Sequence, residues 1–185
     1  MKQIAKIACL LLGLAISSPF MKAESKKNMN IVFIGNSITQ GALIATPSHD
    51  APPVKAALYL TKQPSVTSVK YSNQGVSGCT TTDYLPTTET LFLKAKEAAD
   101  KFADETWATL VFSIMLGTND SAITGPNGAP ASPEKYEENM KAIINQLLAL
   151  YPSCKIVLHR PVWYSPNTYN GAMYLKEGLN RLQSY

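Results

Sequence analysis

Short apolar runs alternate with helical patterns along this chain, and that alternation limits its fold more than any other feature. Four runs rich in β-branched residues predict strands, at residues 31–34, 66–71, 108–116 and 155–159. Segments with apolar positions at helical spacing predict the helices, at residues 54–61, 91–102, 133–150 and 174–183. Alternation of this kind is typical of a parallel sheet covered by helices on both faces. The sequence therefore predicts an α/β fold, in a chain of about one domain's length.

The N-terminal residues 1–23 carry a different signal. Lys2 and Lys6 precede a short apolar run, and small residues near Ala23 offer a cleavage site. This order is typical of a secretory signal peptide, and the run is too short to predict a membrane span. We therefore expect residues 24–185 to form the mature domain, without a membrane span and in a secreted or periplasmic location.

Removing that segment changes the charge of the chain. Its formal net charge is +4, but Lys2, Lys6 and Lys22 are three of its 17 basic residues. The mature part keeps 14 basic residues against 13 acidic ones. A nucleic-acid partner would require a basic stripe, which this near balance does not provide.

Cysteine and histidine usage argues against a metal or disulfide scaffold. Cys79 and Cys154 lie in the mature part, one in a predicted turn and the other just before a strand. Two cysteines do not make a scaffold, so we expect free or buried thiols. No Cys/His spacing resembles a metal site, and we expect neither metal nor cofactor.

Polar residues follow three of the predicted strands. In a parallel sheet, ligand sites lie at the carboxyl ends of the strands. Ser37 supplies a hydroxyl and a backbone N–H, Gly78 a backbone N–H, and Asn119 a side-chain amide. An acyl-transfer site needs a nucleophilic hydroxyl and donors aimed at the developing oxyanion.

Each residue also has a plainer interpretation. A serine between strand and helix is most often an N-cap, and glycines here are more often turn residues. An Asn-Asp pair after a strand is commonly an Asx-turn. The "GNSITQG" stretch matches neither a phosphate-binding glycine loop nor the G-x-S-x-G elbow.

In combination and in this order, the three blocks resemble the SGNH hydrolases, the GDSL-type esterase/lipase superfamily. "IVFIGNSIT", "NQGVSG" and "IMLGTND" match the first three family blocks, within residues 30–158. The resemblance implies a flavodoxin-like three-layer α/β/α sandwich, with Ser37 as nucleophile and Ser37, Gly78 and Asn119 as the oxyanion hole. Asn36 stands where the family name has Asp, and Cys79 where Asp often follows the second glycine.

The fourth family block, an Asp-x-x-His that supplies the general base, does not occur in the sequence. The chain has two histidines. His49 lies in a loop soon after Ser37, in the wrong order for the family, and His159 ends the fourth predicted strand. We interpret His159 first as a hydrogen-bonded histidine at the end of a strand, and only second as a residue that contacts substrate. The simplest hypothesis is a C-terminally incomplete domain with an exposed sheet edge.

The sequence thus predicts a secreted serine esterase that acts through an acyl-enzyme on Ser37. Its substrate would be a small-molecule or glycan ester, with O-acetyl groups on carbohydrates suggested by analogy. His159 and Trp163 are the candidate substrate contacts, and nothing in the sequence indicates an oligomeric state. The alternative is an inactive module of the same fold that binds a glycan or ester, or a non-functional fragment.

Overall fold

The computed structural model describes residues 26–162 and 177–185. Four strands form one sheet: β1 (Lys27–Gly35), β2 (Val66–Gly75), β3 (Ala108–Met115) and β4 (Lys155–Leu158). Their order is β2-β1-β3-β4, and every neighbouring pair is parallel. The predicted signal peptide and Trp163 lie outside the described residues.

Six α-helices occur in the described part of the chain. They are α1 (Ser37–Gln40), α2 (Pro47–Asp50), α3 (Pro52–Thr61), α4 (Leu91–Asp100), α5 (Pro133–Leu150) and α6 (Glu177–Ser184). The start of α5 matches its sequence signal, because the Ser132 hydroxyl accepts a hydrogen bond from the Lys135 amide at 3.2 Å and Pro133 follows.

Several predicted boundaries were wrong, and the first strand begins at Lys27 and not at residue 31. The strand predicted over residues 66–71 continues through Gly75, because Asn73 and Gly75 pair with Phe33 and Gly35 of β1. The helix predicted over residues 91–102 ends at Asp100. At the start of β1 and the end of β2 the added residues are mostly polar, so local composition gave no signal for the strand pairing that decides these two boundaries.

Helices cover both faces of the sheet and make three layers. On one face, Val32, Ile34, Phe112 and Ile114 pack against α4 and α5 in the main core. On the other face, Ile31, Phe33 and Val111 form a smaller cluster with side chains of α3. The fold is therefore the predicted flavodoxin-like α/β/α sandwich.

The register brings three strand ends to the same level. Gly35, the last residue of β1, pairs with Gly75 of β2 and with Met115 of β3. The loops that follow these three strands must consequently leave the sheet side by side. We call this edge, where β1, β2 and β3 end at the same level, the level edge of the sheet. The candidate site lies on the loops that follow it.

The outer strand β4 is short and open. Val157 and Leu158 are 43% and 55% exposed, and β4 pairs only with β3 among the described strands. None of the helices in the described ranges has the length and apolar character to cross a bilayer.

Candidate functional site

Ser37 is held at the first position of a single helical turn. The Asn36 side chain caps this turn by accepting a hydrogen bond from the Ile38 amide at 3.0 Å, and Asn36 is buried. Ser37 itself is half-buried, and its hydroxyl bonds to no described residue. The N–H of a first helical residue has no acceptor within the helix. Ser37 therefore presents a hydroxyl and an N–H together.

Two glycines allow this turn to lie against the sheet. A Cβ on Gly35 would stand 2.0 Å from the Thr39 hydroxyl oxygen, and one on Gly75 would stand 2.3 Å from the backbone nitrogen of Gln40. Both distances are far below van der Waals contact. The φ of Gly35 is not positive. What Gly35 provides is room for α1.

We expect Gly75→Ala to destabilise the protein by about 3 kcal/mol, since its Cβ meets the backbone of α1, which cannot rotate away. Gly78→Ala is the matched control. Gly78 has φ +78° but open space around its Cβ position, so we expect a cost of about 1 kcal/mol from backbone strain alone. Urea unfolding of both variants measures the difference, and equal losses would contradict the packing argument.

The second loop places Gly78 at the surface beside α1. The Gly78 N–H donates to no described residue, and the glycine is exposed. Ser77, just before it, donates from its amide (2.9 Å) and its hydroxyl (2.7 Å) to the side-chain oxygen of Gln40. Two hydrogen bonds thus hold this loop to α1, which carries Ser37. The Gly78 N–H next to them has no acceptor among the described residues.

The third loop brings Asn119 against the second. The Asn119 side chain is 7% exposed and donates to the Cys79 carbonyl at 2.8 Å. That bond uses one of the two hydrogens of the amide. The three sequence-predicted residues Ser37, Gly78 and Asn119 therefore lie on three loops that are bonded to one another at one edge of the sheet.

Sequence reasoning missed the buried Tyr84, which supports these loops from below. Its hydroxyl donates to the Gly35 carbonyl at 3.4 Å and to the Gln74 carbonyl, at the ends of β1 and β2. Burial raises the pKa of Tyr84. A tyrosine in a Thr-rich loop has no distinctive motif, so no signal in the sequence could have identified it.

Neither histidine bonds to Ser37. The His49 Nδ1 lies 3.0 Å from the Ser48 hydroxyl, while the neighbouring Asp50 pairs with Lys55 at 2.6 Å. The His159 Nε2 lies 2.8 Å from the Ser113 hydroxyl. His159 is thus a hydrogen-bonded strand-end residue, as interpreted from the sequence. Its predicted contact with substrate stays a prediction.

The two cysteines of the described chain are free and buried, as expected. Burial first, and then the Asp83 carboxylate, raise the pKa of Cys79 to about 12. The Cys79 thiol lies 3.3 Å from the Gly35 carbonyl and acts as a packed support. Burial likewise raises the pKa of Cys154.

We expect Ellman's reagent to modify Cys79 on the order of 10²-fold more slowly than a free thiol at about pH 8, because the thiolate is both scarce and buried. A raised pKa favours the neutral thiol in the folded state. Its contribution to stability is therefore present below the ordinary pKa of 9.0 and is lost as the pH rises towards about 12. Comparing the chain with its Cys79→Ala variant, with and without denaturant, assigns the reaction; fast labelling of folded Cys79 would contradict its burial.

The described residues contain no group of three or more His, Cys, Asp or Glu side chains arranged to hold a metal ion. The donors at the site are instead neutral: one hydroxyl, two backbone amides and one carboxamide. Such donors suit an oxygen that gains negative charge.

Comparisons with solved structures find similar proteins at low sequence identity. A catalytic mutant of an acetylxylan esterase from Geobacillus stearothermophilus is 21% identical, with a TM-score of 0.53 over 88% of this chain and 70% of that one. An aryl esterase from M. smegmatis is 19% identical, with a TM-score of 0.55 over 84% of this chain and 74% of that one. A lipase/acylhydrolase from Enterococcus faecalis is 18% identical, with a TM-score of 0.48 over 84% of this chain and 66% of that one.

The chain thus spans about two thirds to three quarters of the length of these three proteins. A comparison with curated protein sequences gives no match. The family model for GDSL-like lipases and acylhydrolases matches residues 33–184, which include the three bonded loops and most of the sheet. The chain therefore belongs to the GDSL-like lipase/acylhydrolase family, whose members hydrolyse esters.

Proposed function

We propose that this protein is an exported serine esterase that cleaves carboxylic esters through an acyl-enzyme on Ser37. The observation that supports the proposal is that one unbonded hydroxyl and three candidate N–H donors lie on three loops that are hydrogen-bonded to one another at the same edge of the sheet. The donors come from Ser37, Gly78 and Asn119, and the hydroxyl belongs to Ser37.

In this mechanism the Ser37 Oγ attacks the carbonyl carbon of the ester. The carbonyl oxygen gains negative charge and is stabilised by the N–H groups of Ser37 and Gly78 and by the Asn119 amide. Collapse of the tetrahedral intermediate breaks the bond to the alkoxide, which takes up the proton lost from Ser37 and departs as the alcohol, while the acyl group stays on Ser37. Water then attacks the acyl-enzyme, releases the carboxylic acid and restores the hydroxyl.

A serine hydroxyl is a weak nucleophile until a base removes its proton. The two histidines of the chain bond to Ser48 and Ser113 instead. We therefore propose that proton removal from Ser37 limits the rate of this chain.

For the substrate we propose an acetyl ester, with O-acetyl groups on carbohydrates as the first class to test. Two considerations support it: the predicted export of the chain, and the acetylxylan esterase among the proteins of the same fold. Residues 1–23 would direct the protein to the periplasm or the exterior. Trp163, proposed to contact sugar, lies outside the described residues.

The histidine positions also favour a second candidate, a module of the same fold that binds an ester or a glycan without turnover. Trapping the intermediate separates the two. We expect p-nitrophenyl acetate, followed by acid quenching and peptide mass mapping, to place one acetyl group on the peptide that contains Ser37. The Ser77→Ala variant, altered at an exposed serine of the next loop, should acquire the same adduct. If acetylated xylan retards the chain in affinity electrophoresis while Ser37 stays unmodified, the binding module is the correct function.

A further inference from the structure

Behind the candidate oxyanion donors lies a second, fully buried connection between the same two loops. Asp120 follows Asn119, and one of its carboxylate oxygens, Oδ1, accepts hydrogen bonds from the Thr81 amide at 2.9 Å and from the Thr81 hydroxyl. The Thr81 hydroxyl in turn accepts from the Asn139 side chain of α5 at 2.9 Å. We call these three residues, Thr81, Asp120 and Asn139, the buried clamp.

The buried clamp is shielded from solvent, and burying its carboxylate is energetically unfavourable. Thr81 is 0% exposed, and Asp120 and Asn139 are each 1% exposed. The second carboxylate oxygen of Asp120, Oδ2, is buried without a partner among the described residues. Burial raises the pKa of Asp120, which the hydrogen bonds from Thr81 oppose. Burying a carboxylate with one unsatisfied oxygen is unfavourable, and such local costs concentrate at functional sites.

The position of the clamp connects it to the donors. Asn119 reaches across to the Cys79 carbonyl, and the next residue, Asp120, is bonded by Thr81, two residues after Cys79. Two adjacent cross-links therefore join the loops. One cross-link alone would leave the loops free to pivot about it, whereas two fix both their separation and their angle.

Helix α5 gives the clamp a rigid anchor. Asn139 lies in the first half of this 18-residue helix, beside Met140 and Ile143 of the main core. The Asp120 carbonyl also accepts from the Ala131 amide at 2.8 Å, just before the helix begins. Both loops are thus held by hydrogen bonds to α5 or to the residue just before its start, and α5 packs on the sheet.

We propose that Thr81, Asp120 and Asn139 are positioning residues that hold the Gly78 N–H and the Asn119 amide at the spacing needed to bind one oxyanion. Their catalytic consequence rests on the proposed esterase function. None of the three touches the reacting atoms, and their effect passes through the two donors. Because a misplaced donor loses most of its benefit in the transition state and little in the ground state, the clamp acts on kcat.

Thr81→Val and Thr81→Ser form the matched pair for a test. Valine keeps the shape of threonine and the amide bond to Asp120 but removes the hydroxyl that links Asp120 to Asn139; serine keeps that hydroxyl. We expect hydrogen exchange at the bonded amides of Cys79 and Thr80 to accelerate about 10-fold or more in Thr81→Val and to stay near the wild-type rate in Thr81→Ser. For p-nitrophenyl acetate, we expect kcat to fall about 10-fold or more in Thr81→Val with little change in KM, and Thr81→Ser to restore it.

The two readouts keep the clamp and the esterase function distinguishable. Unchanged exchange at the Cys79 and Thr80 amides in Thr81→Val would overturn the clamp, even in an active esterase. Faster exchange combined with unchanged kcat would overturn its role in positioning the donors. If the wild-type chain shows no turnover that depends on Ser37, the proposed function fails, and the exchange rates still decide whether the clamp holds the loop.

Discussion

Replacing Ser37 with alanine is expected to abolish formation of the acyl-enzyme and to reduce p-nitrophenyl acetate hydrolysis on the order of 10-fold in kcat/KM, since neither histidine of the chain bonds to Ser37 to activate its hydroxyl. Without the hydroxyl no acyl-enzyme forms, and only the residual effect of the oxyanion donors on direct attack by water remains. Ser37 is half-buried and its hydroxyl makes no bond to described residues, so its loss leaves no polar group without a partner. The variant should therefore keep wild-type stability.

The control for this experiment is Ser77→Ala. Ser77 is exposed and bonds to Gln40 through its hydroxyl, but its amide makes a second bond to the same oxygen. We expect its rate to remain much closer to wild type. Initial rates are measured in one buffer while the enzyme concentration is varied about tenfold. The part of the rate that rises with enzyme concentration is enzymatic, and the remainder is solvent hydrolysis. Equal rates for the wild type and Ser37→Ala would show that Ser37 is not the nucleophile.

Asn119→Ala is expected to lower kcat on the order of 10²- to 10³-fold, the usual cost of losing one oxyanion donor. The same substitution removes the 2.8 Å bond to the Cys79 carbonyl. A buried carbonyl left unsatisfied costs about 1–3 kcal/mol of folding stability. We therefore expect two separate losses, in rate and in stability, measured by steady-state kinetics and urea unfolding.

Asn73→Ala distinguishes the two losses. The Asn73 side chain of β2 donates to the Thr39 carbonyl of α1 at 2.9 Å, close to the length of the Asn119 bond, but it supplies none of the three proposed donors. We expect a similar loss of stability and a much smaller loss of kcat. If Asn73→Ala and Asn119→Ala lower kcat equally, then Asn119 acts through loop structure and its amide is not an oxyanion donor.

The fold could be predicted from the sequence because its signals are local. The strand run at Ile31–Ile34 and the Ser132-Pro133 helix start each carry their own pattern, and the structure has β1 and α5 there. The end of β2 could not be predicted, because Asn73 and Gly75 join the ladder only through their partners on β1. Long-range pairing decided that boundary.

The residues of the candidate site also fall into those that the sequence could predict and those that it could not. Short ordered sequence patterns predicted Ser37, Gly78 and Asn119 as candidate site residues, and the structure places their three loops at one edge of the sheet. Thr81, Tyr84 and Asn139 support those residues through bonds that span tens of positions in sequence. Threonines in a Thr-rich loop and an asparagine in a helix look ordinary, so the support was invisible before the loops were folded together.

The register at Gly35 also sets the order of events when the chain folds. The pairs Gly35–Gly75 and Gly35–Met115 join residues that are far apart in sequence, and parallel strands cannot close through a hairpin. Folding must therefore bear the entropy of closing long loops before any of the three donors has a fixed neighbour. The level edge of the sheet would be among the last features to form. Recovery of ester hydrolysis after dilution from denaturant should therefore report completion of the whole sheet.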